Sequence, residues 1–347
     1  MKHSLSQLYH SLCLSCLLLL TACQGLPVAS SLNPAETLWQ TDSPPTILDS
    51  RNHKQLNPAA LLPELLKADV IYLGEEHDNP HHHQIQLAVL QQLLQHGKKP
   101  LIGFEFFSRE QTPWLMHYTV GKPSSLPIKQ PLDPDQQLRV QLGWEKREDW
   151  SYYFPLLQLA RQQHLTIFGA DLPEGLRLRL TREGLQSLTP LERSLWRQTP
   201  FQHADYQQLM RDKLAQAHCG MASESLLDRL YETWLARNEA MAQSIVAMSE
   251  NNDSPIVIIV GAGHVTHNMG IYERVHALRP QLRQLNLGLI SGSWEEFVSS
   301  LPLPTLHIGS TSFLPAHEML WLTPASAESS DHCAAWSKAK ADKPAQQ

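Results

Sequence analysis

Five short apolar runs limit the fold more than any other feature of the chain: Val70–Leu73, Leu101–Phe104, Leu165–Phe168, Ile256–Val260 and Leu287–Ile290. They are rich in β-branched residues and do not alternate cleanly with polar ones, the pattern of strands covered on both faces. Between the first two lies QIQLAVLQQLLQHGKKP, where Ile85, Val89 and Leu93 recur at helical spacing and Leu87, Leu90 and Leu94 widen the stripe. Asn79 is placed as its N-cap, Pro80 suits the first helical position, and Gly97 suits the stop. Strand, helix, strand at this spacing is a βαβ unit, and YYFPLLQLARQQHLTIFG repeats the helix–strand step. The expected fold class is therefore α/β, a parallel sheet flanked by helices. Two stretches break the alternation, Ser108 to Trp150 and Thr181 to Met248, and read as helical insertions or a cap over the sheet.

Four of the five runs lead towards a titratable residue. Gly74-Glu75-Glu76-His77 follows the first, Glu105 the second, Asp171 the third, and His264, in VGAGHVTH, the fourth. In an open parallel sheet all strand C-termini lie along one edge, and ligands bind in the crevice there. Glu75, Glu76, His77, Glu105, Asp171 and His264 are thus expected to converge. Gathered carboxylates need a counter-charge: a divalent metal, an arginine such as Arg109, or raised pKa values. His77, Glu105 and His264 make a metal set with open positions. Without a metal, Glu76 (or Glu75), His77, Glu105 and His264 could serve as general acid and base in a hydrolase. His81, His82 and His83, on the first turn of the helix, read as solvated, and His267 as weaker than His264. No nucleophile elbow or phosphate loop is present, and GAGHVT has Thr266 where a dinucleotide fingerprint has its third glycine.

The N-terminus bears on compartment. Residues 1–22 have a lysine near the start, a short apolar stretch and small residues before Cys23, the pattern of a lipoprotein export signal. Cys23 is the expected acylation site, holding the chain to a membrane surface. Gln24 favours the outer membrane, with the body facing the periplasm. Residues 23–46 read as a linker and 324–347, small and polar, as a disordered tail. With Cys13 and Cys16 removed and Cys23 acylated, Cys219 and Cys333 remain free to pair in an oxidising space. The net charge of −6 gives no basic footprint for nucleic acid.

The lipoprotein signal, GEEHDNPHHHQ, GFEFF, AHCGM and GAGHV, in this order, resemble the ChaN family of haem-binding, iron-regulated lipoproteins, relatives of the Tiki/TraB proteins and erythromycin esterases. The resemblance implies an α/β domain over 47–323, haem as ligand, a homodimer around haem and a role in iron acquisition, as a binding protein without turnover. It also implies a tyrosine ligand from the helical part. Tyr231 sits best there and Tyr206 second, with His218 and Met221 as further haem candidates. In the related esterases and peptidases the strand-end Glu and His residues are catalytic or hold a metal, the alternative carried by His77, Glu105 and His264.

Overall fold

The computed structural model describes residues 46–121, 133–195, 204–250, 252–301 and 305–325, with Trp39, Leu303 and Cys333. The strands are β1 (Ile47–Asp49), β2 (Lys54–Leu56), β3 (Val70–Glu75), β4 (Leu101–Ser108), β5 (Ile167–Asp171), β6 (Ile256–Gly261), β7 (Gln284–Ser291), β8 (Leu306–Ile308), β9 (Thr311–Phe313) and β10 (Met319–Thr323). The helices are α1 (Pro58–Lys67), α2 (Pro80–Gln95), α3 (Thr112–Val120), α4 (Pro134–Gln141), α5 (Trp150–Gln162) and α6 (Glu174–Glu183). They continue with α7 (Pro190–Leu195), α8 (Ala204–Ala217), α9 (Glu224–Met248), α10 (Ile271–Leu278) and α11 (Trp294–Ser299). Residues 1–22, most of the linker 23–46 and most of the tail 324–347 lie outside the described residues.

All five apolar runs contribute to strands of one sheet, the third only from Ile167 on, ordered β2-β1-β10-β7-β3-β6-β4-β5. From β10 to β5 every pairing is parallel, and β1 and β2 close the far edge antiparallel. The sheet is thus wider than five strands and mixed at one edge. The pleat sends alternate side chains to two cores. Ile71, Leu73, Ile102, Phe104, Val257 and Ile259 pack with α1, α2 and α5 on one face. Val70, Tyr72, Ile256, Ile258 and Val260 pack with α9 and α10 on the other. This double burial is why the runs lacked alternation in sequence.

Asn79 caps α2, accepting from the His81 amide, and Pro80 opens the helix as expected. Gly97, with φ +74°, follows its last turn. The second insertion holds the end of α6 and all of α7 to α9, its helical part starting earlier than expected, at Glu174, and the 25-residue α9 lies across β5 and the C-terminal end of the sheet. Cys219 and Cys333 are joined in a disulfide that ties the tail to the turn between α8 and α9. Among the described residues no helix is long and apolar enough to cross a membrane.

Candidate functional site

The parallel strands bring their C-terminal residues to one rim, where two hydrogen-bonded networks meet. The first is built on Glu75, the last residue of β3, whose side chain is fully buried. Tyr153 of α5 donates to Glu75 Oε1 at 2.6 Å, and Gln86 of α2 donates to Oε2. His83 Nδ1 lies 3.4 Å from Oε2, and His77 Nδ1 3.0 Å from Oε1. Burying a carboxylate is costly unless donors surround it, and here two helices and the following loop supply them. His77 itself stands at the mouth with 53% of its side chain exposed. Burial of its inner edge pulls its pKa down, but the Glu75 hydrogen bond and the charges of Glu105 and Glu75 prevail, raising it to about 9.

The second network is built on Glu105 of β4. The register of β4 against β5 shifts between Phe104 and Ser108, at the point where Glu105 leaves the ladder. Arg237 of α9 donates to Glu105 Oε1 at 2.6 Å and to Asp171 Oδ2, at the end of β5, at 2.8 Å. The Gly261 amide donates to Glu105 Oε2 at 2.6 Å, and His264 Nε2 lies 3.3 Å from Oε1. Asn238 of α9 meets His264 Nδ1 at 2.7 Å. Against burial, which would raise it, the charges of His264 and Arg237 hold the Glu105 carboxyl well below the usual range. The networks touch at Gly261, where an added Cβ would lie 2.6 Å from His77 Cε1 and 3.3 Å from Glu105 Oε2. Glycine there lets the histidine lie across the strand end.

One turn back along α9 the chemistry changes. Trp234 stacks nearly parallel on His264 (centroids 6.1 Å apart) and on Tyr231 (6.0 Å). Tyr231 and Trp234 belong to a separate cluster with Tyr206, Leu209 and Met210 of α8 and Phe313 of β9. Tyr206 is buried, and among the described residues its hydroxyl has no hydrogen-bond partner. Burial pushes its pKa well above the ordinary value. Tyr231 is likewise raised by burial.

The family model described as haem-binding uptake, Tiki superfamily, ChaN matches residues 61–275, more than half of the chain. The chain belongs to the ChaN family. Among solved structures, ChaN of Campylobacter jejuni with cofacially bound haem is similar: TM-score 0.60, 18% identity, covering 81% of this chain and 97% of that one. An erythromycin esterase variant in its open conformation aligns at TM-score 0.48 and 13% identity, covering 83% and 98%. The first likeness supports the fold alone, a mostly parallel sheet flanked by helices. Comparison with curated proteins gives no match.

In this ChaN-family chain His77, Glu105, Asp171 and His264 do converge. Other expectations need correction. Glu75, not Glu76, enters the network: Glu76 is exposed and takes a hydrogen bond from Ser291. The strand runs two residues further than its apolar part, so the pleat turns Glu75 inward and Glu76 out. His82 and His83 are buried, not solvated. His82 accepts from the Glu76 amide at 3.0 Å and meets Thr323 Oγ1 at 3.0 Å, and burial lowers its pKa to about 4. Arg237 supplies the counter-charge in place of Arg109, which donates to the Ala240 carbonyl. With Glu105 held by Arg237 and an amide, its pKa falls instead of rising. The divalent-metal expectation finds no support: among the described residues no group of three or more His, Cys, Asp or Glu is arranged to hold an ion. His218 and Met221 lie at the turn after α8, outside the aromatic cluster. Arg237 and Asn238 were missed. Helical spacing puts residues 231, 234 and 238 on one face of α9, but a helix's own sequence does not say which rim that face will cross.

Proposed function

We infer that this chain is an exported haem-binding protein, held by acyl chains on Cys23 to the outer membrane and facing the periplasm. It would act in iron acquisition, two copies associating around haem. The observation that carries the haem site is the Tyr206 hydroxyl, enclosed by aromatic and sulfur side chains and lacking a partner among the described residues. Leaving such a group unpaired costs about 1–3 kcal/mol, so a ligand that engages it gains what the free protein forgoes. Ferric haem accepts a tyrosinate as axial ligand, with the protein setting its redox behaviour through that ligand and its surroundings. The cluster fits such a group in kind: Tyr206 and Tyr231 offer phenols, and Trp234 and Phe313 offer flat apolar faces. Tyr206 would be the ligand and Tyr231, stacked on Trp234, a wall.

A haemin titration followed by absorbance tests this. We expect a ferric tyrosinate spectrum that is lost in Tyr206→Phe and kept in Tyr231→Phe. Loss only in Tyr231→Phe would exchange the two roles. An unchanged spectrum in both variants would remove the site from this cluster. For the anchor, Cys23→Ser should move the protein from the membrane to the soluble fraction, and a variant that stays behind defeats the lipidation.

A further inference from the structure

The aromatic cluster is closed by a small element that the main sheet does not hold. Among the described residues, strands β8 and β9 pair only with each other, three residues each, in a separate antiparallel ribbon. Two-stranded ribbons are marginal on their own and depend on what they lie against. This one lays Leu306, Ile308 and Phe313 onto Tyr206, Tyr231 and Trp234, with the intervening His307 and Ser312 outward. Phe313 meets the Tyr206 ring at 6.2 Å.

Among the described residues, few polar contacts fasten the ribbon. Thr311 Oγ1 donates to Asp205 Oδ2 of α8 at 2.7 Å. Gly309, at φ +56°, lets the turn approach so closely that an added Cβ would sit against the Asp205 carboxylate. Beyond β9, the His267 amide donates to the Ala316 carbonyl at 2.7 Å, and its Nδ1 lies 2.6 Å from the Leu314 carbonyl. His267 makes both contacts from a left-handed conformation (φ +62°, ψ +24°), followed by Asn268 at φ +57°. Two successive non-glycine residues in that region hold strain that the surrounding contacts must offset. Tyr206 is only 3% exposed beneath this cover, so a planar ligand of porphyrin size has no path to its hydroxyl while the ribbon is seated.

We propose that the β8–β9 ribbon is a gate: it lifts from α8 as a unit, with Thr311–Asp205 and the His267 contacts as its latch, to admit a flat aromatic ligand to Tyr206. The inference rests on the haem-binding reading for its ligand, though the opening itself is a property of the free protein. Association should then be limited by the fraction of molecules that are open.

The test staples the ribbon to α8 with Asp205→Cys/Gly309→Cys. Haemin association is followed by stopped-flow absorbance, oxidised and reduced. Wild type under the same reductant controls for the native disulfide. The oxidised staple should slow association about tenfold or more, with recovery on reduction, since only open molecules bind. Thr311→Val, which loosens the latch without a new cross-link, should quicken it. Equal rates in the oxidised and reduced staple overturn the gate. Hydrogen exchange decides the case without haem. Amides of 305–316 should exchange together, faster than those of β6, and slow in the oxidised staple. Ribbon exchange as slow as β6 overturns the gate, whereas a protein that takes up no haemin but shows the coupled exchange defeats only the haem reading.

Discussion

At the scale of single residues, the rim holds histidines whose charges are set in opposite senses, and this fixes a pH dependence. His77 has a folded pKa of about 9 against an ordinary 6.5, so its contribution is complete below pH 6.5 and is lost as pH rises through 9. His82, lowered to about 4 by burial, acts the other way: stability falls as pH drops from 6.5 towards 4, where the unfolded chain takes a proton the native ring refuses. An NMR titration should give a His77 midpoint near 9, falling by a unit or more in Glu75→Gln; a midpoint unmoved by that change would detach the two groups. Arg237 bears a heavier load, because Glu105 and Asp171 are both buried against it. Arg237→Met should cost about 3–5 kcal/mol in urea unfolding, the range for stranding a buried charge. Adding Glu105→Gln should restore part of this, since coupled partners are not additive. The strand-end acids and histidines were legible because a parallel sheet must bring its C-terminal ends to one edge. Arg237 and Asn238 were not, because nothing within a helix's own sequence says which rim it will cross.

At the scale of elements, α2 shows how far local signals reach. Asn79 and Pro80 mark its start in the sequence, and the structure uses them so. But Asn79 is also 1% exposed, and its Nδ2 donates to Ser291 Oγ at 2.7 Å and to the Pro324 carbonyl at 3.2 Å, joining the helix start to β7 and β10. The cap alone is worth about 0.5–2 kcal/mol. Asn79→Ala should exceed that in urea unfolding, because partners far along the chain lose their donor. Asn79→Asp keeps the cap oxygen and should lose the smaller, distal part. Equal loss in both variants would mean that the cap oxygen contributes nothing. The same division explains the strands. Runs buried on both faces declared themselves by composition, whereas β1, β2, β8 and β9 are three residues each, too short for a period. β10, MLWLT, is buried along its length yet was not read as a strand; it completes the sheet by pairing with β7 and β1, contacts that are not local.

For the whole molecule, the disulfide connects topology with the proposed compartment. Cys219 and Cys333 are 114 residues apart, so their bond closes a loop holding α9, β6, β7 and the gate ribbon. A link across so long a loop limits the unfolded chain strongly, and such bonds are commonly worth about 2–4 kcal/mol. Disulfides persist in oxidising spaces and are rare in the cytosol. Protein secreted with its signal should therefore show no reactive thiol after denaturation, Cys23 being acylated and the other two joined. The body produced from residue 24 onward in a reducing cytosol should show two, Cys219 and Cys333, and unfold at lower denaturant. Oxidising it should raise the midpoint to that of the exported form, and Cys219→Ser/Cys333→Ser should be indifferent to redox conditions. If the double variant unfolds at the wild-type midpoint, the bond adds nothing to the fold. If the exported protein carries two free thiols, the link between this fold and an oxidising compartment fails with it.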